Sequence, residues 1–342
     1  MERALRLAAR AAGRTAPNPM VGAVIVRNGA VIGEGYHHAA GQPHAEVLAL
    51  RQAGERARGA TLYVTLEPCN HTGRTPPCTE AILAAGVRRV VTATPDPDPR
   101  VRGAGIAALR AAGLDVDVGP GEAEARRLNR WYITARTLGR PRVLYKWAQT
   151  LDGSVATVTG DSQWISGEAA RRESHRWRAR LDAVLVGVGT VLSDDPSLTV
   201  RLARGRNPLR VVADRGARTP LTARLLPALV CVGRQAPAER VERLRAAGAQ
   251  VVVAETPAEI LDELGRRGCL GVLLEGGPTL AGAFWDAGLI DEVAVALAPR
   301  LLGPGRQPFA GPGAPALAEA LALRDVCVRR LGPDLWLTGA VR

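Results

Sequence analysis

Lysine is almost missing from this chain: Lys146 is the only one in 342 residues, and arginine carries the rest of the basic charge. Aromatic residues are scarce at 4%, with two Phe and four Tyr. Proteins that hold single-stranded nucleic acid stack bases on interleaved aromatics. A nucleic-acid partner therefore finds little support, even though the net charge is +12. The basic side chains are also dispersed among Asp and Glu, not gathered in a block. Five cysteines, an odd number, argue against a disulfide framework. No uninterrupted apolar run approaches the roughly 18 residues that a membrane span needs. Near the N-terminus Arg6, Arg10 and Arg14 break up the apolar positions, so no secretory leader is expected. These absences point to a cytoplasmic protein with no membrane partner, long enough for two domains with full cores.

What is present is concentrated in one stretch. His44-Ala45-Glu46 is followed by Pro68-Cys69-Asn70-His71-Thr72-Gly73-Arg74-Thr75-Pro76-Pro77-Cys78. One imidazole and two thiolates hold zinc through three ligands and leave the fourth tetrahedral position open, which marks a catalytic site. Zinc lowers the pKa of a bound water to roughly 7, and Glu46 stands where it can shuttle protons. H-x-E followed by P-C and a second Cys is the pattern of zinc nucleobase deaminases. Taken singly, His44 reads as a surface histidine and Cys69 and Cys78 as buried thiols; taken together, the metal site outweighs that reading. The usual pattern closes with C-x-x-C. Here eight residues separate the two cysteines, so the second thiolate must return from a loop held by Pro76-Pro77.

Periodicity predicts a helix over residues 2–13, a strand over 21–26, a hairpin turn at Asn28-Gly29, and a returning strand over 31–36. A helix is expected from His44 to Arg51, with its partial positive terminus keeping Glu46 ionised. Strands are expected at 61–66 and 87–94 and helices at 79–85, 106–112 and 122–129, the alternation of an α/β layered domain. Gly139-Arg140-Pro141 reads as a junction, giving domains 1–142 and 143–342. In the second, strands at 143–148, 183–187, 209–214, 228–232, 250–254 and 272–274 alternate with helices, one of them at 168–180. Gly276-Gly277 lies between a buried strand and a helix. That arrangement suits a dinucleotide phosphate at a helix N-terminus, or equally a turn that needs φ > 0. No Rossmann G-x-G-x-x-G follows the first strand of this half.

Taken with Asn18-Pro19 and Asp96-Pro97-Asp98-Pro99, the zinc stretch resembles the deaminase half of the bifunctional riboflavin-biosynthesis deaminase-reductases. Leu151-Asp152-Gly153, Ser162-Gln163-Trp164, Asp194-Asp195-Pro196 and Glu275-Gly276-Gly277-Pro278-Thr279-Leu280 resemble the reductase half. The resemblance implies a cytidine-deaminase-like α/β/α domain followed by a dihydrofolate-reductase-like α/β domain. It implies one zinc per chain on His44, Cys69 and Cys78, proton transfer by Glu46, and substrate contacts from Asn18, His37, His71 and Arg74. Asp98 stands where the family carries Asn, which exchanges a donor for an acceptor. In the second half the resemblance gives NADPH contacts to Ala148, Trp164, Thr190, Asp194, Arg215 and a loop of Gly277, Pro278, Thr279, Leu280, Ala281, Gly282 and Ala283. It gives substrate contacts to Ser162, Arg178, Leu198, Arg201 and Glu275. The expected partner is a phosphorylated pyrimidine, and a homo-oligomer is expected. Lys146, the lone lysine, lies in the first strand of this half; with Glu275 as its partner it is expected to orient or protonate the sugar oxygen. Two other readings stay open: a tRNA or single-stranded DNA base deaminase with a non-catalytic C-terminal domain, and a scaffold whose zinc is structural.

Overall fold

The computed structural model describes residues 1–72, 76–99 and 101–341. They divide into two compact units, Met1–Arg140 and Pro141–Arg342. In the first unit the strands are β1 (Gly22–Arg27), β2 (Ala30–Tyr36), β3 (Thr61–Val64), β4 (Arg89–Thr92) and β5 (Asp115–Val118). Its helices are α1 (Glu2–Ala9), α2 (Ala45–Ala53), α3 (Cys78–Ala84), α4 (Ala104–Ala111), α5 (Glu122–Leu128) and α6 (Arg130–Leu138). The described residues form a sheet of order β2-β1-β3-β4-β5, antiparallel across β2-β1-β3 and parallel from β3 to β5. The hairpin turn is as expected: Asn28 and Gly29 both have positive φ, 51° and 76°, as a two-residue primed turn requires.

Two strand glycines fix where α2 lies. A Cβ on Gly35 would come within 2.6 Å of the Leu48 Cβ and 2.7 Å of the Ala45 carbonyl oxygen. A Cβ on Gly33 would collide with the Ala49 carbonyl. The bare backbone of β2 therefore lets α2 settle directly on the sheet, with its N-terminus over the zinc stretch.

Several boundaries differ from the sequence expectation. The first helix stops at Ala9 instead of residue 13, because the chain turns through Gly13 at φ 76° before Pro17. Cys78 begins α3 one residue earlier than expected. Strand β5 was not expected, since its Asp-Val-Asp-Val alternation is polar on one side. It lies at the sheet edge, where Asp117 faces outward and binds the Arg89 guanidinium. Helix α6 was not expected either, because Trp, Tyr, Ile and Thr weaken its intrinsic helix propensity.

The second unit contains β6 (Arg142–Thr150), β7 (Ala183–Gly187), β8 (Leu209–Ala213), β9 (Leu229–Val232), β10 (Gln250–Val253), β11 (Gly271–Leu274), β12 (Glu292–Ala298), β13 (Arg324–Leu331) and β14 (Asp334–Ala340). Its helices are α7 (Glu168–Arg180), α8 (Val188–Asp194), α9 (Ala238–Ala246), α10 (Pro257–Arg266) and α11 (Pro278–Asp286). The sheet order is β10-β9-β8-β7-β11-β6-β12-β14-β13, parallel from β10 to β12 and antiparallel at the β14 and β13 end. Strands β7, β9 and β11 are near-continuous apolar runs, as strands covered on both faces must be; Leu185, Leu229, Val272 and Leu274 sit in one core with Tyr145 and Phe284. Among the described residues no helix is long and apolar enough to cross a membrane.

Candidate functional site

In the first unit the zinc stretch converges although its parts are distant in sequence. His44 is the N-cap of α2, with extended backbone at φ −70° and ψ 162°. Cys78 opens α3 directly after Pro77, and Cys69 follows the turn that leaves β3. The ligand atoms of His44, Cys69 and Cys78 all lie within 4.8 Å of one another. His44 Nδ1 is 3.2 Å from Cys78 Sγ and 3.6 Å from Cys69 Sγ, and the Cys78 backbone N–H donates to Cys69 Sγ at 3.4 Å. The wider cysteine spacing thus still closes a three-ligand set. The two thiols are coupled: the hydrogen bond from Cys78 holds Cys69 well below the usual thiol range, and the same bond with burial pushes Cys78 up. One imidazole and two thiols with ligand atoms this close together are a donor set that fits zinc.

Glu46, in the first turn of α2, is buried, and burial pushes its carboxyl up to about 7. Removal from water thus works against the helix terminus that was expected to keep it ionised. A carboxyl near neutrality is poised to both take and give a proton.

Glu46 and the zinc ligands His44 and Cys69 open into a cavity of about 590 Å³ whose walls include Asn18, His37, His71, Asp96, Asp98, Tyr132 and Arg136. The Asn18 turn is held from α6 at both ends. Asn129 takes the Met20 N–H and donates to its carbonyl, each at 2.8 Å, and Arg136 Nη2 donates to the Pro17 carbonyl at 3.4 Å. His37 departs from its expected role. Its Nδ1–H donates to the Pro43 carbonyl at 3.2 Å, which leaves Nε2 to accept from Asn18 Nδ2 at 3.0 Å. Burial lowers its pKa, in keeping with a neutral ring. With both nitrogens engaged inside the protein, His37 orients Asn18 and leaves the Asn18 carbonyl oxygen for a ligand. His71 is exposed at the cavity rim, and Arg74 lies outside the described residues. Tyr132 donates to Asp96 at 3.3 Å, and burial raises the Asp96 carboxyl. Neither Tyr132 nor Arg136 was found from sequence; their i, i+4 spacing on one helix face was the available signal.

In the second unit the candidate residues cluster at the C-terminal ends of parallel strands, where open α/β sheets bind ligands. Glu275 follows β11, Gly187 ends β7 and caps α8, and Arg215 follows β8. Thr190 and the exposed Asp194 lie on α8, Ala148 in β6, and Ser162 and Trp164 in the segment before α7. The Trp164 ring is 60% exposed and carries the Arg171 guanidinium 4.5 Å from its centroid. Arg215 is exposed, and its Nε donates to the Glu255 carbonyl at 3.2 Å.

The Gly277–Ala283 stretch is not a loop. Gly277 caps α11, Pro278 begins it, and Ala281 and Gly282 are buried against the protein. A Cβ on Gly282 would collide with the Ala310 carbonyl. A bound cofactor can therefore reach the cap and first turn, Gly277 to Leu280, but not Ala281 or Gly282. Gly277 packs beside Thr190 Oγ1, and as the cap of α11 it places the free amides of the first turn where an anion can meet them.

Glu275 is gripped by Arg178 through Nη2 at 2.6 Å and Nε at 3.0 Å. Lys146, the expected partner, is an attractive electrostatic neighbour of Glu275, and Arg178 joins it. Arg178 already occupies one carboxylate oxygen, while the other, Oε1, is buried with no hydrogen-bond partner. Burial pushes the Glu275 carboxyl up, but Arg178 and Lys146 outweigh it and the net direction is down. Burial lowers the Lys146 ammonium, and Glu275 opposes that shift. Arg178 Nη1 also donates to the Thr199 carbonyl at 3.2 Å, and the exposed Arg201 side chain holds Ser197 and Thr199. Buried Leu198 has φ 53°, a left-handed conformation costly for a branched residue; strain of this kind gathers at functional sites. His175 accepts the Arg201 backbone N–H at 3.0 Å. Burial, with Arg178 and Arg201 nearby, brings it down to about 4, which keeps the acceptor nitrogen unprotonated. The orphaned Glu275 oxygen, the open helix cap and the exposed indole suit a nicotinamide cofactor beside a polar substrate.

Comparison with known proteins gives the same division. Residues 1–94 match the cytidine and deoxycytidylate deaminase zinc-binding region, and residues 141–337 match the RibD C-terminal domain. The chain is 46% identical to riboflavin biosynthesis protein RibD of Aquifex aeolicus, over 98% of this chain and 96% of that one. It is 42% identical to the Escherichia coli protein of that name, over 98% and 97%. Among solved structures, Acinetobacter baumannii RibD superposes with a TM-score of 0.92 at 42% identity, covering 99% of this chain and 97% of that one. A diaminohydroxyphosphoribosylaminopyrimidine deaminase/5-amino-6-(5-phosphoribosylamino)uracil reductase from Thermotoga maritima superposes with a TM-score of 0.87 at 38% identity, with the same coverage.

Proposed function

The chain belongs to the family of riboflavin biosynthesis protein RibD, and we propose that its two units catalyse two consecutive steps on one phosphorylated pyrimidine. The first unit removes the exocyclic amine of 2,5-diamino-6-ribosylamino-4(3H)-pyrimidinone 5′-phosphate as ammonia. The second reduces the ribosyl group to ribityl. The observation that carries the reading is the convergence of His44, Cys69 and Cys78 beside buried Glu46 at one end of a cavity.

His44, Cys69 and Cys78 would hold the zinc, which when bound supplies Lewis acidity toward water and the ring. Glu46 takes a proton from water as oxygen bonds to the ring carbon, then delivers it to the departing amine as the C–N bond breaks. Asn18, aimed by His37, reads the edge of the base, with His71 at the rim and Arg74 as the phosphate contact. Asp98 accepts where an amide would donate, which suits the amino groups of a donor-rich ring.

In the second unit NADPH, held by Trp164, Thr190, Arg215 and the first turn of α11, supplies hydride when bound. Arg178 fixes Glu275, Lys146 provides the proton for the sugar oxygen as C1′ is reduced, and Arg201 with Ser162 and the Leu198 turn holds the substrate. The partner is then this pyrimidine and not a nucleic acid, and the cytoplasm is its location. A homo-oligomer is supported by edge strand β13, whose Val326 and Val328 are 51% and 54% exposed; long bare edges invite pairing.

The test is one assay on the whole protein. Supplied with the diaminopyrimidine phosphate, zinc and NADPH, it should release ammonia and then oxidise NADPH. Ammonia without NADPH loss would remove the second half of the reading, and no ammonia would remove the first.

A further inference from the structure

Glu67 lies two residues before the ligand Cys69, and none of the steps above uses it. It is 4% exposed, and its carboxylate accepts four backbone N–H groups: from Asp96 at 3.0 Å and Gly103 at 2.9 Å on Oε2, and from Gly105 at 2.9 Å and Ile106 at 3.2 Å on Oε1. A buried carboxylate is costly unless it is fully bonded, and four charge-assisted bonds offset that cost. The donors fall into two groups. Asp96 and Gly103 bracket the segment whose Asp96, Asp98 and Val101 wall the cavity. Gly105 and Ile106 are amides of the first turn of α4, which have no partner inside their own helix. On the other side, the Glu67 N–H donates to the Thr94 carbonyl at 3.0 Å. A Cβ on Gly105 would collide with the Pro68 carbonyl, so the turn that carries Cys69 rests directly on the start of α4.

We infer that Glu67 is a positioning residue of the deaminase: one carboxylate fastens Asp96 and Gly103, on either side of the cavity-lining residues Asp98 and Val101, to the turn that presents the zinc ligand Cys69. The inference rests on the deaminase reading. That fastening sets the separation between the ligand Cys69 and the Asp96, Asp98 and Val101 wall of the cavity. Glutamine cannot substitute, because its amide nitrogen would face two N–H donors and leave them unpaired in a buried site.

The experiment compares full-length Glu67→Gln with the wild type. Cobalt substituted for zinc reports the Cys69 environment through its thiolate absorption bands, and ammonia release gives KM and kcat separately. A cooperative melting transition of the first unit, followed by circular dichroism, verifies that the part carrying the substitution is folded, and NADPH oxidation with already deaminated substrate verifies that the second unit is intact. In Glu67→Gln the cobalt bands should shift and KM for the diaminopyrimidine should rise about tenfold or more, with a smaller fall in kcat. If either the bands or KM stay at the wild-type value while only the melting temperature falls, Glu67 is a helix cap alone and the inference is overturned. If Glu67→Gln does not fold, Gly105→Ala strains the same joint with the carboxylate intact. A folded Gly105→Ala enzyme with wild-type bands or wild-type KM overturns the inference just as well. Should the wild type release no ammonia, the deaminase reading falls, and the cobalt bands alone decide Glu67.

Discussion

Glu46 in the first turn of α2 and Cys78 at the start of α3 divide the work of the zinc site, and single substitutions should separate them. Glu46→Gln should keep zinc and lose about 10²–10⁴-fold in ammonia release, because the amide cannot accept the water proton. Metal analysis beside the assay checks both halves of that statement. Cys78→Ser should instead lose metal and activity together, since Cys78 completes the three-ligand cluster; full zinc content in that variant would place a ligand elsewhere. In the second unit Lys146→Arg should bind NADPH normally and reduce slowly, because a guanidinium is a poor proton donor near neutrality. Turnover near the wild-type rate would leave Lys146 as a packing residue. The ligands were legible in sequence because their chemistry is carried by residue type and short spacing. The bonding of His37 and Glu275 was not, because each depends on a neighbour from a distant element: the Asn18 amide donates to the second His37 nitrogen, and Arg178 on α7 grips one Glu275 oxygen beside Lys146.

Elements place these groups through their backbones. Helix α2 can bring His44 and Glu46 to the cavity only because β2 offers bare glycines beneath it. Gly35→Val should therefore lift the N-terminus of α2, cost about 1–3 kcal/mol of stability, and weaken zinc binding in a chelator competition. A variant with lowered melting temperature but wild-type zinc affinity would show that the ligand set tolerates movement of α2. Strong periodicity made α2, α7 and the apolar parallel strands readable in advance. The polar alternation of β5 and the aromatic, β-branched composition of α6 hid those elements, since tertiary contacts and not local preference determine them. The omission mattered more for α6, because its Tyr132 and Arg136 line the cavity and Arg136 holds the Pro17 carbonyl beside Asn18.

At the scale of the whole molecule, the division at Pro141 predicts separable activities. A fragment of residues 141–342 should fold and oxidise NADPH when given deaminated substrate, since the second unit has its own core. Failure of a soluble, folded fragment would show that the units depend on each other for catalysis. The two-domain plan was legible because length, the Gly139-Arg140-Pro141 junction and two distinct motif sets agreed. The nine-stranded order was not, because the chain leaves β6 and returns to its two sides only with β11 and β12. The lone lysine has one more consequence. Apart from a chain terminus, an acylating reagent finds a single amine in the entire protein, and it sits half-buried in β6 among the candidate reductase groups. The mass gained on acylation, read on the intact chain, thus becomes a direct occupancy gauge for the reductase site: it should grow slowly in the free protein and more slowly still as cofactor or substrate covers Lys146.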